Sequence, residues 1–280
     1  MGIKIVTDSS TEISQKEAAE LGIEVVPLKC IIDDVEYLDG IDLSPEDFYV
    51  KLAASRELPK TSQVSPAEFE QVFHKVQGDG DHQIIVITIA EQLSGTNQNA
   101  RLAGENFGGN VMVIDSAIST IGVQLLVRRA LQLVNLGKAA EEIVSMLEEE
   151  KKSLRVFAII DTLEYLSKGG RLSKTSAFTG TVLNIKPIIS IMDGEIKVIN
   201  RCRGMANAYS KIFSFVESEG GIDYSRPFAT AYTGNRDRFD AFEKVCEQQF
   251  GGNKPSISSV GSVIGAHVGP GAVAVAFFKK

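Results

Sequence analysis

Short apolar segments rich in β-branched residues alternate with amphipathic segments through the first 160 residues of the chain. Residues 84–90 are apolar at every position except Thr88, which is typical of a strand covered on both faces in a parallel sheet. Residues 3–7 and 111–114 repeat this pattern, and a helical segment follows each of the three. Strand, turn and helix in this order predict right-handed βαβ units around a mostly parallel, doubly wound sheet.

Local signals mark where the helices begin. Ser44-Pro45-Glu46-Asp47 combines an N-cap, a first-turn proline and first-turn acids. Ser65-Pro66-Ala67-Glu68 is a capping box, and apolar residues follow it at helical spacing, namely Phe69, Val72, Phe73 and Val76. These patterns predict helices that start at residues 45 and 66. Further helices are predicted over residues 120–136 and 138–152.

The pattern changes after Leu154, where hairpins mix with helices. Asp193-Gly194 separates the apolar runs 188–192 and 196–199, which is a strong signal for a two-residue hairpin turn. We therefore predict an α/β protein of two α/β domains, residues 1–153 with a mostly parallel doubly wound sheet and residues 154–280 with a mixed sheet and helices. Further elements are predicted in the second domain as strands over 156–160, 228–232 and 272–278 and helices over 163–167, 206–217 and 236–250.

Charge and composition exclude several classes of function. The 29 lysines and arginines against 36 acids give a net charge of −7, whereas a nucleic-acid coat needs a basic surface. The three histidines are never spaced i, i+4, so neither a zinc enzyme nor any other metal site is predicted. The N-terminus lacks the pattern of a signal peptide, and no apolar run approaches the ~18–20 residues of a membrane span. With three cysteines far apart in sequence, we expect a cytoplasmic protein.

Small polar residues follow the predicted parallel strands, where ligands of open α/β sheets bind. These segments are Asp8-Ser9-Ser10, Ser94-Gly95-Thr96 and Asp115-Ser116. Gly95 would let a ligand approach the backbone closely, and Ser94 and Thr96 would add hydroxyl donors suited to a carboxylate or phosphate. The alternative is that each hydroxyl only caps its own helix.

Four other segments carry groups that could bind an anion. Thr61-Ser62-Gln63 reads as a polar loop with two hydroxyls, and Lys168-Gly169-Gly170-Arg171 reads either as a phosphate-binding turn or as an ordinary helix end. Arg201 and Arg203 would share one side of an extended segment, facing either an anion or solvent. His267 lies among glycines in a predicted turn before the last strand, where core packing would not explain a histidine.

The ordered set of motifs resembles the DegV family, the fatty-acid-binding subunits of bacterial fatty acid kinase. The resemblance covers nearly the whole chain. Val64 stands where the family often has proline, and Asn97 stands where an aromatic residue is expected. The motifs are Asp8-Ser9, Thr61-Ser62-Gln63-Val64-Ser65-Pro66, Ser94-Gly95-Thr96, Asp115-Ser116, Lys168-Gly169-Gly170-Arg171, Lys186-Pro187, Arg203 and His267-Val268-Gly269-Pro270-Gly271.

The resemblance implies a lipid carrier and not an enzyme. It implies one long-chain fatty acid held between the two domains, no tightly bound cofactor, and a separate ATP-binding kinase subunit that phosphorylates the carboxylate for phospholipid synthesis, with at most transient contact with a membrane surface. Arg171 and Arg203 would face the phosphate or the kinase. The residues that would bind the carboxylate are Thr61, Ser94, Gly95, Thr96 and His267.

Two other functions stay open at the level of sequence. One is an independent esterase or phosphotransferase that uses Ser94 and His267 on a small acid substrate, although no Gly-x-Ser-x-Gly motif is present. The other is an interaction module that uses the surface around Arg171 and Arg203 and binds no lipid.

Overall fold

A computed structural model describes residues 2–78, 80, 82–172 and 184–280. The helices of these residues are all too short or too polar to traverse a bilayer. The strands are β1 Gly2–Asp8, β2 Glu24–Val26, β3 Lys29–Ile32, β4 Val35–Leu38, β5 Lys60–Ser62, β6 His82–Thr88, β7 Val111–Asp115, β8 Leu154–Ile159, β9 Ile185–Met192, β10 Glu195–Arg203, β11 Ala229–Tyr232, β12 Ser256–Ser259 and β13 Val273–Phe278. The helices are α1 Gln15–Leu21, α2 Pro45–Ala54, α3 Pro66–Gly78, α4 Thr96–Gly104, α5 Ile121–Asn135, α6 Ala140–Glu150, α7 Glu164–Lys168, α8 Met205–Ser218, α9 Asp237–Gln249 and α10 Ser262–Val268.

The predicted parallel sheet is confirmed, with strand order β2-β1-β6-β7. Both of its faces are covered, because alternate residues of β6 belong to different apolar cores. Ile85 and Ile87 pack in the core that contains α5, whereas Ile84 and Val86 pack with α3 and α4. Since the strands run parallel, their carboxyl ends, and the polar residues after them, meet at one edge of the sheet.

The capping box at the start of α3 forms as predicted. The Ser65 amide donates to Glu68 Oε2 at 2.7 Å, and the Glu68 amide donates to Ser65 Oγ at 3.3 Å. Phe69, Phe73 and Val76 are buried. The box therefore fixes the helix start directly after the segment that contains Thr61.

The mixed sheet is also confirmed, with strand order β10-β9-β8-β13-β11-β12. The hairpin between β9 and β10 turns at Asp193-Gly194, whose φ values of 51° and 75° are the positive values that a type I′ turn requires. β12 is itself mostly polar, with the sequence Ser-Ile-Ser-Ser, and no strand was predicted there.

Two local predictions near the site are wrong. Residues 61 and 62 do not lie in a loop, because they belong to β5, which pairs antiparallel with β3 and places Thr61 opposite Cys30. His267 does not lie in a turn, because it occupies the last turn of α10. Both errors have one cause, since each element is short and is held by its neighbours and not by its own hydrophobic pattern.

Candidate functional site

A cavity of about 370 Å³ lies between the carboxyl edge of the parallel sheet and one face of the mixed sheet. This volume falls in the roughly 300–1,000 Å³ range of small-molecule sites. The wall combines residues of the first 153 positions with residues of the remainder of the chain, and most of it is apolar. The apolar lining includes Leu28, Ile89, Leu93, Ile189, Ile191 and Val263.

Alanines on the mixed sheet make room for this cavity. Ala231 pairs with Ala274, Ala274 with Ala158, and Ala158 with Ile189, so these four side chains form one row across four strands. On the opposite face, β8 and β13 carry large residues that pack under α8 and α9. The alternation of small and large side chains therefore leaves a trough on one face and a filled core on the other.

Thr61 and His267 meet at the polar end of the cavity. Thr61 Oγ1 lies 2.9 Å from His267 Nε2, although the two residues are 206 positions apart in sequence. The C-terminal end of α7 packs closely against this imidazole. A Cβ on Gly169, the residue after the helix, would lie only 2.3 Å from His267 Nδ1. Glycine at position 169 is thus required by the close approach of the histidine ring.

The imidazole of His267 is neutral at pH 7. Burial, and secondarily the positive charge of Arg171, lower the pKa of His267 to about 4. Nδ1 is buried and has no hydrogen-bond partner among the described residues. Because an unpaired buried N–H is rare, we assign the proton to Nε2, which then donates to Thr61 Oγ1. The hydroxyl hydrogen of Thr61 is left to donate to an anionic ligand.

Ser94 and Gly95 also line the cavity, and Gly95 lies against Gln63, two residues after Thr61. Ser94 Oγ lies 2.9 Å from Thr96 Oγ1, and Thr96 is fully buried behind the wall without lining the cavity. A Cβ on Gly95 would lie 2.1 Å from Oε1 of Gln63, so the absent side chain lets the Gln63 amide cover the turn. Gln63, a cavity-lining residue, also contributes an amide to the polar end.

Arg171 is held at the cavity wall by two backbone oxygens. Its Nε donates to the Leu93 carbonyl at 3.2 Å, and its Nη1 donates to the Gly169 carbonyl at 2.7 Å. The guanidinium is therefore fixed beside the imidazole, and it forms no ion pair with any carboxylate among the residues that the structure describes. It supplies positive potential at the end of the cavity where the neutral donors lie.

The DegV family model, described as a family of uncharacterised proteins, matches residues 2–280. A DegV domain-containing protein of Caldanaerobacter subterraneus is 37% identical over 99% of both chains. The chain belongs to the DegV family. The solved structure of a DegV family protein from Thermus thermophilus, titled for its fatty acid binding, superposes with a TM-score of 0.89, at 31% identity and over 99% of this chain and 100% of that one. A fatty acid binding DegV family protein from Streptococcus agalactiae gives a TM-score of 0.87 at 29% identity, over 100% of this chain and 99% of that one.

Two of the polar segments after the strands of this DegV protein serve its own backbone. Asp8 accepts from the amides of Ser10 and Ile89 at 2.9 and 2.8 Å. Asp115 accepts from the amides of Glu91 and Ala117 at 3.1 and 3.0 Å. Among the predicted segments, the structure therefore brings together Thr61, Ser94-Gly95, Arg171 and His267, and it leaves Asp8 and Asp115 as structural residues.

Arg203 lies apart from this group. It is exposed on β10 opposite Ile185, on the sheet face to which Ile189 also contributes, but it does not line the cavity. Register places it at the open end of the β9–β10 hairpin, whereas the cavity-lining Ile191 and Ile196 lie beside the turn. Its predicted role toward a phosphate or a kinase stays a prediction.

Ser94 and His267 do not form the hydrogen-bonded pair of a serine hydrolase in this DegV structure. The Ser94 hydroxyl contacts Thr96, and the His267 Nε2 contacts Thr61. In the described part of the chain, no group of His, Cys, Asp and Glu side chains is arranged to hold a metal ion. What the polar end can do chemically is to bind an anion with neutral donors beside a fixed arginine.

Sequence reasoning missed the residues that make the cavity. The alternation Val273-Ala274-Val275-Ala276-Phe277 was visible as a strand, but the small residues on one face were not recognised as a binding surface. Alternation of small and large apolar residues on a strand is the signal that could have found them.

Proposed function

We propose that the protein binds one long-chain fatty acid, with the acyl chain in the alanine-floored cavity and the carboxylate at Thr61, Ser94, Gly95 and His267. The observation that carries this proposal is the apolar cavity that ends in the Thr61–His267 contact. The two solved DegV structures described above are of fatty acid binding proteins, which supports it. Thr96 would contribute by holding the Ser94 hydroxyl in place.

The energetics suit a carrier. Each buried methylene contributes roughly 0.8 kcal/mol, so a long acyl chain supplies enough affinity without a salt bridge to the carboxylate. Neutral donors would hold the carboxylate, because the uncharged ring of His267, whose pKa burial lowers to about 4, donates to Thr61 and leaves the Thr61 hydroxyl to donate to the ligand. A carboxylate held in this way keeps more of its nucleophilicity than one paired directly with an arginine.

The proposal treats residues 1–153 and 154–280 as two domains with the ligand between them. The strands of the parallel sheet lie within residues 2–115, and those of the mixed sheet lie within residues 154–278. The three cysteines are unpaired and buried, which is compatible with the proposed cytoplasmic location.

Protein purified from cells is expected to carry lipid. Denaturing extraction followed by mass spectrometry should release about one fatty acid for each chain, because the cavity of about 370 Å³ contains one Thr61–His267 pair to hold a carboxylate. A matched extraction of an unrelated protein from the same cells controls for adhering lipid. Recovery of hydrophilic ligands alone would contradict the proposed function.

The finer role that we propose is presentation of the carboxylate to a separate ATP-dependent kinase subunit, which forms an acyl phosphate for phospholipid synthesis. The exposed guanidinium of Arg203 would face that subunit or the transferred phosphate, and Arg171 would stabilise charge at the cavity mouth.

Arg203→Ala is expected to leave the affinity for fatty acid unchanged, because Arg203 does not line the cavity. Acyl-phosphate formation with the kinase should fall about tenfold or more, the effect of losing one hydrogen bond to a charged group. Fatty acid titration and a kinase assay measure the two effects. Lys244→Ala, which removes an exposed charge from α9, is the matched control. Equal loss of lipid binding and phosphorylation would show that Arg203 acts on the cavity.

A further inference from the structure

Two carboxylates from the first 40 residues, the buried Asp39 and the half-buried Glu12, hold the start of α10, the helix that carries His267. Asp39 Oδ1 accepts from the Ser262 amide at 2.8 Å and from Ser262 Oγ at 2.6 Å. Glu12 Oε2 accepts from the Gly261 amide at 2.7 Å. These contacts join residues more than 220 positions apart in sequence, and none of them takes part in the ligand site described above.

Both carboxylates are fixed from their other side as well. Asp39 Oδ2 accepts from Ser9 Oγ at 2.7 Å, and Glu12 Oε1 accepts from Thr120 Oγ1 at 3.1 Å. Every carboxylate oxygen of the pair therefore has a named donor. Gly261 fits closely between them, because a Cβ at that position would lie 3.0 Å from Asp39 Oδ1 and 3.3 Å from Glu12 Oε2.

This arrangement is costly to the fold. Burial raises the pKa of Asp39, and burial together with the nearby charge of Asp39 raises the pKa of Glu12. Two acidic groups placed close together away from water destabilise each other unless protonation or hydrogen bonds compensate. An apolar contact would join α10 to the rest of the protein at lower cost, but it would not fix the direction and register of the helix start.

Asp39 links β5, which carries Thr61, to α10, which carries His267. Its backbone amide donates to the Leu28 carbonyl at 2.9 Å, directly before β3, and β3 pairs with the β5 strand that carries Thr61. Its side chain holds Ser262, five residues before His267 in α10. A helix is stiff over this distance of roughly 7.5 Å, so a shift at Ser262 moves the imidazole relative to Thr61.

We propose that Asp39 and Glu12 are positioning residues for fatty acid binding, which act by setting α10 so that His267 Nε2 meets Thr61 Oγ1. The proposal rests on the proposed function, because it assigns the Thr61–His267 contact to the carboxylate of the ligand. Its consequence is that loss of the Asp39 and Glu12 contacts to the start of α10 weakens binding of the carboxylate and leaves the cavity for the acyl chain intact.

The test compares a long-chain fatty acid with the fatty alcohol of the same length, in the full chain. Wild-type protein is expected to prefer the acid. In Asp39→Asn this preference should fall about tenfold, the effect of one lost hydrogen bond to a charged acceptor, while the affinity for the alcohol stays the same. Asp34→Asn, the same change at an exposed turn position of the same segment, should keep the wild-type preference.

A second variant and a second readout keep the test independent of folding. Ser262→Ala removes the hydroxyl donor but keeps the amide, and it should reduce the preference in the same direction by a smaller factor. Nitrogen NMR of His267 should show the Nε2–H form in wild type and a mixture of ring forms in Asp39→Asn.

The outcomes separate the two proposals. Wild-type protein that binds neither ligand contradicts the proposed function. Wild-type protein that prefers the acid, with variants that retain this preference or lose acid and alcohol affinity equally, overturns the positioning role, because the carboxylates would then only stabilise the fold.

Discussion

Replacing Ala274 with phenylalanine is expected to abolish binding of long-chain fatty acids. Ala274 lies between Ala231 and Ala158 in the row of small side chains on the mixed sheet, here called the alanine row, and its side chain faces the cavity. A phenyl ring there would exclude about four or five methylenes of the ligand, which at about 0.8 kcal/mol each is roughly 3–4 kcal/mol, or more than about a hundredfold in affinity.

Titration with acids of increasing chain length measures this effect. The loss should be large for acids of about 16–18 carbons and small for acids of about eight, since a short chain stays near the polar end. Ala53→Phe places the same ring on the exposed side of α2 and should leave every affinity unchanged. If Ala274→Phe bound the longest acids normally, the acyl chain would not lie over the alanine row.

Removing bound lipid is expected to lower the melting temperature by about 5–10 °C. A ligand that binds only the folded state stabilises it by about 2.7 kcal/mol when present at a hundred times its dissociation constant. For a chain of this size each kcal/mol shifts the melting temperature by roughly 2–4 °C. Adding fatty acid back to delipidated protein should restore the transition in proportion to the logarithm of its concentration.

Calorimetric melting temperatures measured with control ligands and a control variant show whether the shift depends on the acyl chain. Acetate supplies the carboxylate without the chain and should give no shift at the same concentration. Ala274→Phe, whose cavity is filled, should show little shift with the long-chain acid. A melting temperature indifferent to fatty acid in the wild type would favour an interaction module without a lipid ligand.

The sequence predicted those features that depend on strong local patterns. The buried strand β6, the capping box at Ser65 and the turn at Asp193-Gly194 each have a signal within a few residues, and each is found in the structure. The residues at the polar end were candidates for anion binding from the sequence itself, and the resemblance to the DegV family assigned them to a fatty acid. The structure brings Thr61, Ser94, Arg171 and His267 to one cavity.

The remainder depends on contacts between distant residues. α10 has seven residues and begins at amides held by Glu12 and Asp39, so its own sequence gives little indication of a helix. β5 exists because β3 offers it a partner. The alanine row arises from the register of four strands, and no single strand contains it. The local capping role that the sequence left open for the polar segments is the one that Asp8 and Asp115 have.

For the fatty acid carrier proposed above, the contact between Thr61 and His267 has a consequence for release of the acid. One partner comes from β5 and the other from α10, so neither portion of the chain holds a complete receptor for the acid. A small separation of these two elements would break the contact and would also displace the part of the cavity wall that they carry, namely Ser62, Val263 and Val268. Under the proposed function, a protein that docks on either element and moves it away from the other would therefore release the fatty acid without a competing ligand.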